Sequence, residues 1–200
     1  KEVAARYPEV TGNPDYTHII NAAQYQRLKA WLDDAKAAGA KIIPLCPIDT
    51  DPAKGGRVIP PTLVLDAPAS CRLMQEEIFG PILPIIGVDS VEAAIAHINA
   101  HDRPLALYHF DLNKKRIEHV LDRTIAGGVC INDTVLHIAQ SKLPFGGIGP
   151  SGMGAYHGLD GFLTFTKRKP VFYQARLSSM ALFKPPYRDL ADRLVKFLTR

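Results

Sequence analysis

Apolar residues at Tyr25, Leu28, Leu32 and Ala35 recur at helical spacing, and Gly39 closes the run as a C-terminal cap. The period then changes. "KIIPLC" (Lys41 to Cys46) and "RVIPPTLVLD" (Arg57 to Asp66) read as strands, which Pro44, Pro60 and Pro61 push toward edges or bends. Lys54-Gly55-Gly56-Arg57 supplies the turn between them. Ser70 to Glu77 predicts a short helix and "PILPIIGV" a strand. Val91, Ala94, Ile95 and Ile98 then mark one face of a helix capped by Asp89 or Ser90. "PLALYHF" is the next strand, Asp111 is expected to cap a helix carrying Ile117, Val120 and Leu121, and "GGVCIN" is a further strand.

Strand, helix, strand, helix, strand in close succession is the βαβ pattern, which requires a parallel sheet covered by helices. The fold class expected is therefore α/β. Beyond residue 133 the alternation gives way to a Gly-rich region. It resumes as "FLTFT" and "PVFYQ", read as strands on either side of Lys167-Arg168-Lys169, and ends in a charged amphipathic segment. There is no internal repeat and no low-complexity segment.

Composition narrows the classes without choosing among them. With 46% hydrophobic and 22% charged residues, the 200-residue chain reads as a globular protein. It is long enough to bury a sizeable core without disulfide staples. The net charge of +4, from 24 basic and 20 acidic residues, is too mild to argue for nucleic acid. No run approaches the roughly 18 apolar residues of a membrane-spanning helix. Cys46, Cys71 and Cys130 are odd in number and widely spaced, with no CxxC, so a reducing, cytoplasmic setting is expected. The start, "KEVAARYPEV", lacks an initiator Met and an apolar signal core. It reads like a helix running into Pro8, so the chain is expected to begin inside something larger.

Four local features invite a chemical reading and do not sustain one. Gly147-Ile148-Gly149-Pro150-Ser151-Gly152 spells G-x-G-x-x-G, but a dinucleotide turn must follow a strand, open a helix and have an acid about 20 positions on. Here Pro150 lies inside the loop, Asp160 is too near and Asp189 too far. The glycines are better explained by positive φ and close backbone approach in a compact loop. His97 and His101 have zincin spacing without the Glu or a third ligand, and read as solvated; no metal is expected. Cys130 in an apolar strand and Cys46 between prolines read as structural. Cys71, before Arg72 at a helix start, could have a lowered pKa but is also better explained as structural. The basic triplet suits an exposed edge.

Two longer stretches point further. "QEEIFGPILPI" (Gln75 to Ile85) and "QSKLPFGGIGPSGMGAYHG" (Gln140 to Gly158), with "PLALYHF" and "GGVCIND" between them, resemble the aldehyde dehydrogenase superfamily over about residues 8 to 175. "SGMGAYHG" followed by "FLTFTKRKPV" is most similar to the class 3 and bacterial coniferyl aldehyde dehydrogenase branch. The resemblance implies NAD- or NADP-dependent oxidation of an aldehyde to its acid. In that family a Cys thiolate attacks the aldehyde carbon, backbone and Asn donors stabilise the oxyanion, and hydride passes to nicotinamide. A Glu-activated water then hydrolyses the thioester. The family's G-Q-x-C nucleophile and E-L-G-G base segments do not occur in this sequence, so both are expected upstream of Lys1 and no catalytic residue is assigned here.

What the resemblance implies for the residues present is specific. Glu77 corresponds to the acid that hydrogen-bonds the nicotinamide ribose, and Phe79 to the ring beside the nicotinamide. Phe145 corresponds to an aromatic wall of the aldehyde tunnel, with Val135, Ile138 and Tyr156 at further substrate-side positions and Asn132 in support. An apolar, aromatic-lined funnel suits a hydrophobic or aryl aldehyde. Because the ribose-discriminating residue belongs to the missing N-terminal coenzyme-binding portion, the coenzyme is expected to be NAD or NADP.

The expected organisation is a parallel-sheet catalytic domain over 1–165, then an oligomerisation strand and amphipathic tail over 166–200. The strand, Thr166 to Arg176, is expected to join a partner's sheet in a homo-oligomer, a dimer. In the tail, Leu190, Leu194, Phe197 and Leu198 lie to one side, with Arg188, Arg193, Lys196 and Arg200 among the polar positions. Packing on a neighbouring subunit is favoured over membrane contact. The fragment alone is expected to be inactive. The competing readings are a non-catalytic binding or assembly module that kept the fold, and a CoA-acylating relative.

Overall fold

A computed structural model describes residues 1–47, 56–177, 185 and 189–199. The chain divides into two compact units, Lys1–Ala94 and Ile95–Arg200.

In the first unit, helix α1 (Glu2–Arg6) leads to α2 (Ala22–Ala37). The Asn21 side chain accepts a hydrogen bond from the Gln24 amide at 2.9 Å and so starts α2. At its other end Gly39, with φ +96°, donates to the Lys36 carbonyl, and Ala40 donates to that of Ala35. This is the Schellman arrangement, in which a left-handed residue lets the chain turn back on the last carbonyls. Leu28, Trp31 and Ala35 are buried at i, i+3 and i+7, with Tyr25 and Leu32 beside them. Trp31 is the core residue that the predicted stripe omitted.

Strands β1 (Lys41–Pro44), β2 (Thr62–Leu65) and β3 (Ile82–Ile85) form one sheet in that order. β1 runs antiparallel to β2, with Ile42 opposite Val64, and β2 runs parallel to β3, with Thr62 opposite Ile82. Pro44 does end an edge strand. β2, by contrast, is central, because Pro60 and Pro61 lie just outside its paired residues. A short helix α3 (Arg72–Gln75) joins β2 to β3. The core gathers Leu28, Trp31, Ile59, Val64, Leu73 and Ile82. Of the predicted turn, Lys54 and Gly55 lie outside the described residues.

Helix α4 (Val91–Asn99) begins with the Ser90 hydroxyl accepting from the Ala93 amide at 3.1 Å, and the division between the units falls inside it. In the second unit β4 (Ala106–His109) and β5 (Gly128–Ile131) pair in parallel, with Tyr108 opposite Cys130. α5 (Lys114–Arg123) forms their crossover, giving a βαβ unit. Its cap is Asn113, whose side chain accepts from the amides of Lys115 and Arg116, rather than Asp111. Asp111 instead accepts from the Asn113 amide at 2.8 Å and forms a two-pronged ion pair with Arg116 at 2.6 and 2.7 Å. That pairing holds its carboxyl well below the usual carboxylate range, first through the Arg116 hydrogen bond and then through the Asn113 amide.

"FLTFT" is not a strand: most of it lies in helix α6 (Gly158–Thr164), and the Thr164 hydroxyl donates back to the Asp160 carbonyl at 2.9 Å. "PVFYQ" forms no strand among the described residues, and residues 167–177 are exposed throughout. The final helix, α7 (Asp189–Leu198), leaves Val195, Phe197 and Leu198 exposed. Arg188 and Arg200 lie outside the described residues, as do the side chains of Leu190 and Leu194. Among the described residues, no helix is long and apolar enough to cross a membrane.

Candidate functional site

The two sets of expected site residues fall in different units. Glu77 and Phe79 belong to the first; Asn132, Val135, Ile138, Phe145 and Tyr156 belong to the second.

Glu77 is exposed on the loop between α3 and β3. Its carboxylate can accept hydrogen bonds from two hydroxyls and donates none while ionised. Two residues on, Phe79 holds φ at +50° and is 78% exposed. A large apolar ring in a left-handed backbone conformation is costly on both counts, and such strain concentrates at ligand sites. Phe79 forms part of a cavity of about 540 Å³, lined also by Tyr7, Tyr16, His18, Ile19 and Pro81. Its wall is tied down: the Tyr16 hydroxyl donates to the Ile59 carbonyl at 2.6 Å, and the Ile19 amide donates to the Arg57 carbonyl at 2.8 Å. Burial, followed by the neighbouring Cys46 and Tyr7, pushes the Tyr16 pKa up to about 12.

In the second unit Phe145 and Tyr156 exchange both backbone hydrogen bonds at 2.9 Å, and their rings meet edge to face at 5.5 Å. His157 stacks on Phe145 at 6.2 Å, and His137 lies 5.9 Å from both Phe145 and Tyr108. The result is an aromatic wall centred on Phe145. Val135 and Ile138 are exposed on the turn around His137, where the Ile138 amide donates to the Val135 carbonyl at 2.9 Å. Asn132, with φ +58°, accepts from the Asp111 amide and donates to the Asp111 carbonyl, both at 2.8 Å. It locks the ends of β4 and β5 together, so its side chain holds the framework from which the 133–140 turn departs.

The glycine loop is closed on itself. Phe145 and Tyr156 pair on its flanks, Gly152 donates to the Gly149 carbonyl at 3.1 Å, and Ser151 Oγ takes the Ile148 amide at 2.9 Å. Two amides that a phosphate would need are thereby committed, and no helix opens there. Cys46 and Cys71 are buried and Cys130 is half-buried. His97 and His101 are exposed, with rings 4.5 Å apart. Among the described residues no three potential metal ligands gather.

Sequence reasoning did not find the ring of His137, whose two nitrogens are buried without a hydrogen-bond partner among the described residues. Nor did it find Arg27, which reaches the Glu77 loop from α2. Neither carries a motif; only tertiary contact identifies them.

Residues 4–171 match the family described as the aldehyde dehydrogenase family. A probable coniferyl aldehyde dehydrogenase of Caulobacter vibrioides is 48% identical over 190 residues, covering 94% of this chain and 39% of that protein. Aldehyde dehydrogenase family 3 member A2 of Rattus norvegicus is 47% identical over 161 residues, covering 80% and 31%. Among solved structures, the substrate-bound state of Staphylococcus aureus AldH superposes with a TM-score of 0.72 at 40% identity, covering 94% of this chain and 40% of that one. A betaine aldehyde dehydrogenase from Staphylococcus aureus in complex with NAD+ gives 0.66 at 29% identity, covering 76% and 31%. The chain thus spans about two fifths or less of the length of these relatives.

Proposed function

This chain belongs to the aldehyde dehydrogenase family, and we propose from that premise that it is the C-terminal part of an NAD- or NADP-dependent enzyme oxidising a hydrophobic or aromatic aldehyde. In this reading Glu77 accepts the nicotinamide-ribose hydroxyls and Phe79 packs beside the nicotinamide. Phe145 and Tyr156, with Val135 and Ile138 at the mouth, wall the aldehyde path, and Asn132 holds their frame. The nucleophilic Cys and general-base Glu belong to the remainder of the polypeptide.

The observation that carries the reading is Phe79, a strained, exposed ring two residues after the exposed Glu77 carboxylate, beside a cavity of ligand size. The residues present fit the coenzyme: an anionic acceptor for paired hydroxyls and a flat apolar face for a flat ring. When bound, NAD or NADP supplies a hydride acceptor. The chain's own contribution is to orient that group and to surround the aldehyde with apolar surface that excludes water. Similarity to coniferyl aldehyde dehydrogenases, together with the Phe145–Tyr156 wall, supports an aryl aldehyde of the coniferaldehyde type as substrate.

The same reading assigns residues 1–165 to the catalytic domain and 166–200 to a dimer-forming strand and tail in a cytoplasmic enzyme. The exposed Val171, Phe172 and Tyr173 support the strand assignment. The test is a substrate panel on the complete polypeptide: coniferaldehyde, benzaldehyde and a long aliphatic aldehyde, each with NAD+ and NADP+. The expected result is NAD(P)H and free acid, with kcat/KM highest for coniferaldehyde. Coenzyme reduction only in the presence of CoA would replace this reading with acyl transfer, and no turnover of any aldehyde would remove the enzymatic reading altogether.

A further inference from the structure

The loop that carries Glu77 and Phe79 lies on one face of α2. Gln24, Arg27, Leu28 and Trp31 stand at i, i+3, i+4 and i+7, the spacing of a single helical stripe. Arg27 Nη1 donates to the Glu77 carbonyl at 3.1 Å and Nη2 to the Ile78 carbonyl at 2.7 Å. Its Nε donates to Gln24 Oε1, and the guanidinium lies 4.1 Å over the ring of Trp31, itself buried. Each of the three nitrogens of the fork therefore has a partner, and one face of its plane is stacked. Leu28 meets the loop one step further on: a Cβ at Gly80 would fall 2.5 Å from its Cδ1, so the backbone closes onto the helix there. The loop's ends are fixed separately, by the Glu76 amide on the Arg72 carbonyl and the Thr62 amide on the Pro81 carbonyl, both at 2.9 Å.

We propose that Arg27 is a positioning residue for the coenzyme: by gripping the carbonyls of Glu77 and Ile78, it holds Phe79 in its left-handed conformation and presents the Glu77 carboxylate. The coenzyme half of this inference rests on the reading above; the hold on the loop does not. The two carbonyls belong to the peptide units immediately before Phe79, so fixing them sets the direction from which the strained residue departs. A planar guanidinium can span two successive carbonyls, whereas an ammonium is a point donor that cannot reproduce the fork. Loss of the grip frees the loop to relax toward ordinary φ, and coenzyme binding must then re-order it.

The test uses Arg27→Gln, Arg27→Lys and, as a milder change that leaves the guanidinium in place, Gln24→Ala, in the complete polypeptide. Hydrogen exchange without coenzyme is measured across residues 76–81 and, as an internal reference, across β2. Coenzyme Kd is measured by titration, with KM for the aldehyde alongside. Arg27→Gln is expected to speed exchange in 76–81 but not in β2 and to raise coenzyme Kd on the order of tenfold, with aldehyde KM unchanged. Arg27→Lys is expected to fall between it and wild type, and Gln24→Ala to shift Kd in the same direction by a smaller factor. If Arg27→Gln does not fold, the other two variants decide by the same criteria. Unchanged loop exchange overturns the proposal, as does loss of protection spread equally through β2, which would mark Arg27 as general support for the fold. If the wild-type polypeptide binds neither NAD+ nor NADP+, the coenzyme half falls with the functional reading, and the exchange comparison alone judges the hold on the loop.

Discussion

Gly146 is a sharp place to perturb the aromatic wall around Phe145 without touching an aromatic side chain. A Cβ built there would lie 2.0 Å from the Gly154 carbonyl oxygen and 3.0 Å from Ala155 Cα. Heavy-atom contacts settle near 3.5–4.0 Å, so the two backbones must part by about 1 Å or more. The obstructing atoms are main chain, with no rotamer that could move aside, and the paired Phe145–Tyr156 bonds sit next to the clash. Overpacking of this kind costs about 1–3 kcal/mol. For a chain of this size each kcal/mol moves the melting temperature by roughly 2–4 °C, so Gly146→Ala should melt about 2–12 °C below wild type. Gly87→Ala is the control: its Cβ meets nothing within 4 Å and its φ is unexceptional, so it should match wild type or gain slightly. Thermal denaturation followed by circular dichroism compares the two. Equal melting temperatures for Gly146→Ala and Gly87→Ala would refute the close approach on which the closed glycine loop depends.

Three further perturbations follow from the packing and from the surroundings of Tyr16 and Asp111. Leu28→Ala removes a fully buried side chain from the first unit's core and should cost about 2–5 kcal/mol in urea denaturation. Tyr16, raised to about 12 in the folded chain, contributes stability that is complete below its unfolded value of about 10 and is lost as pH rises from there through about 12. Tyr16→Phe should flatten that alkaline limb in a pH series of urea midpoints. Asp111 has the opposite sign: its lowered carboxyl stabilises above its unfolded value of about 3.9 and ceases to as pH falls through its folded one. The stability gap between wild type and Asp111→Asn should therefore narrow in acid.

The sequence was most legible where one short segment carries its own pattern. The stripe from Tyr25 to Ala35 with Gly39 behind it, and the βαβ run from "PLALYHF" to "GGVCIN", formed as expected because period and punctuation agree there. The strand reading of "FLTFT" failed because its β-branched and aromatic letters were outweighed by context. Gly158, at φ +48°, starts a helix, and Thr164 bonds back to Asp160 within it. The cap of α5 was misplaced by two residues because both Asp111 and Asn113 are good caps, and only the Arg116 pairing separates their roles. At the candidate site, the letters of "EEIFGP" and "LPFGG" carried the resemblance. The positive φ of Phe79 and the grip of Arg27, 50 residues away in sequence from Glu77, have no local signature.

The central claim is that this chain supplies the coenzyme-ribose acceptor and the aldehyde wall of an NAD(P)-dependent aldehyde dehydrogenase. Initial-rate kinetics of the complete polypeptide with Glu77→Gln and Phe145→Ala, varying coenzyme and aldehyde independently, test it most directly. The account predicts that Glu77→Gln impairs the coenzyme parameters on the order of tenfold while sparing aldehyde KM, and that Phe145→Ala does the reverse. Coenzyme parameters unchanged in Glu77→Gln, or aldehyde KM unchanged in Phe145→Ala, would contradict it.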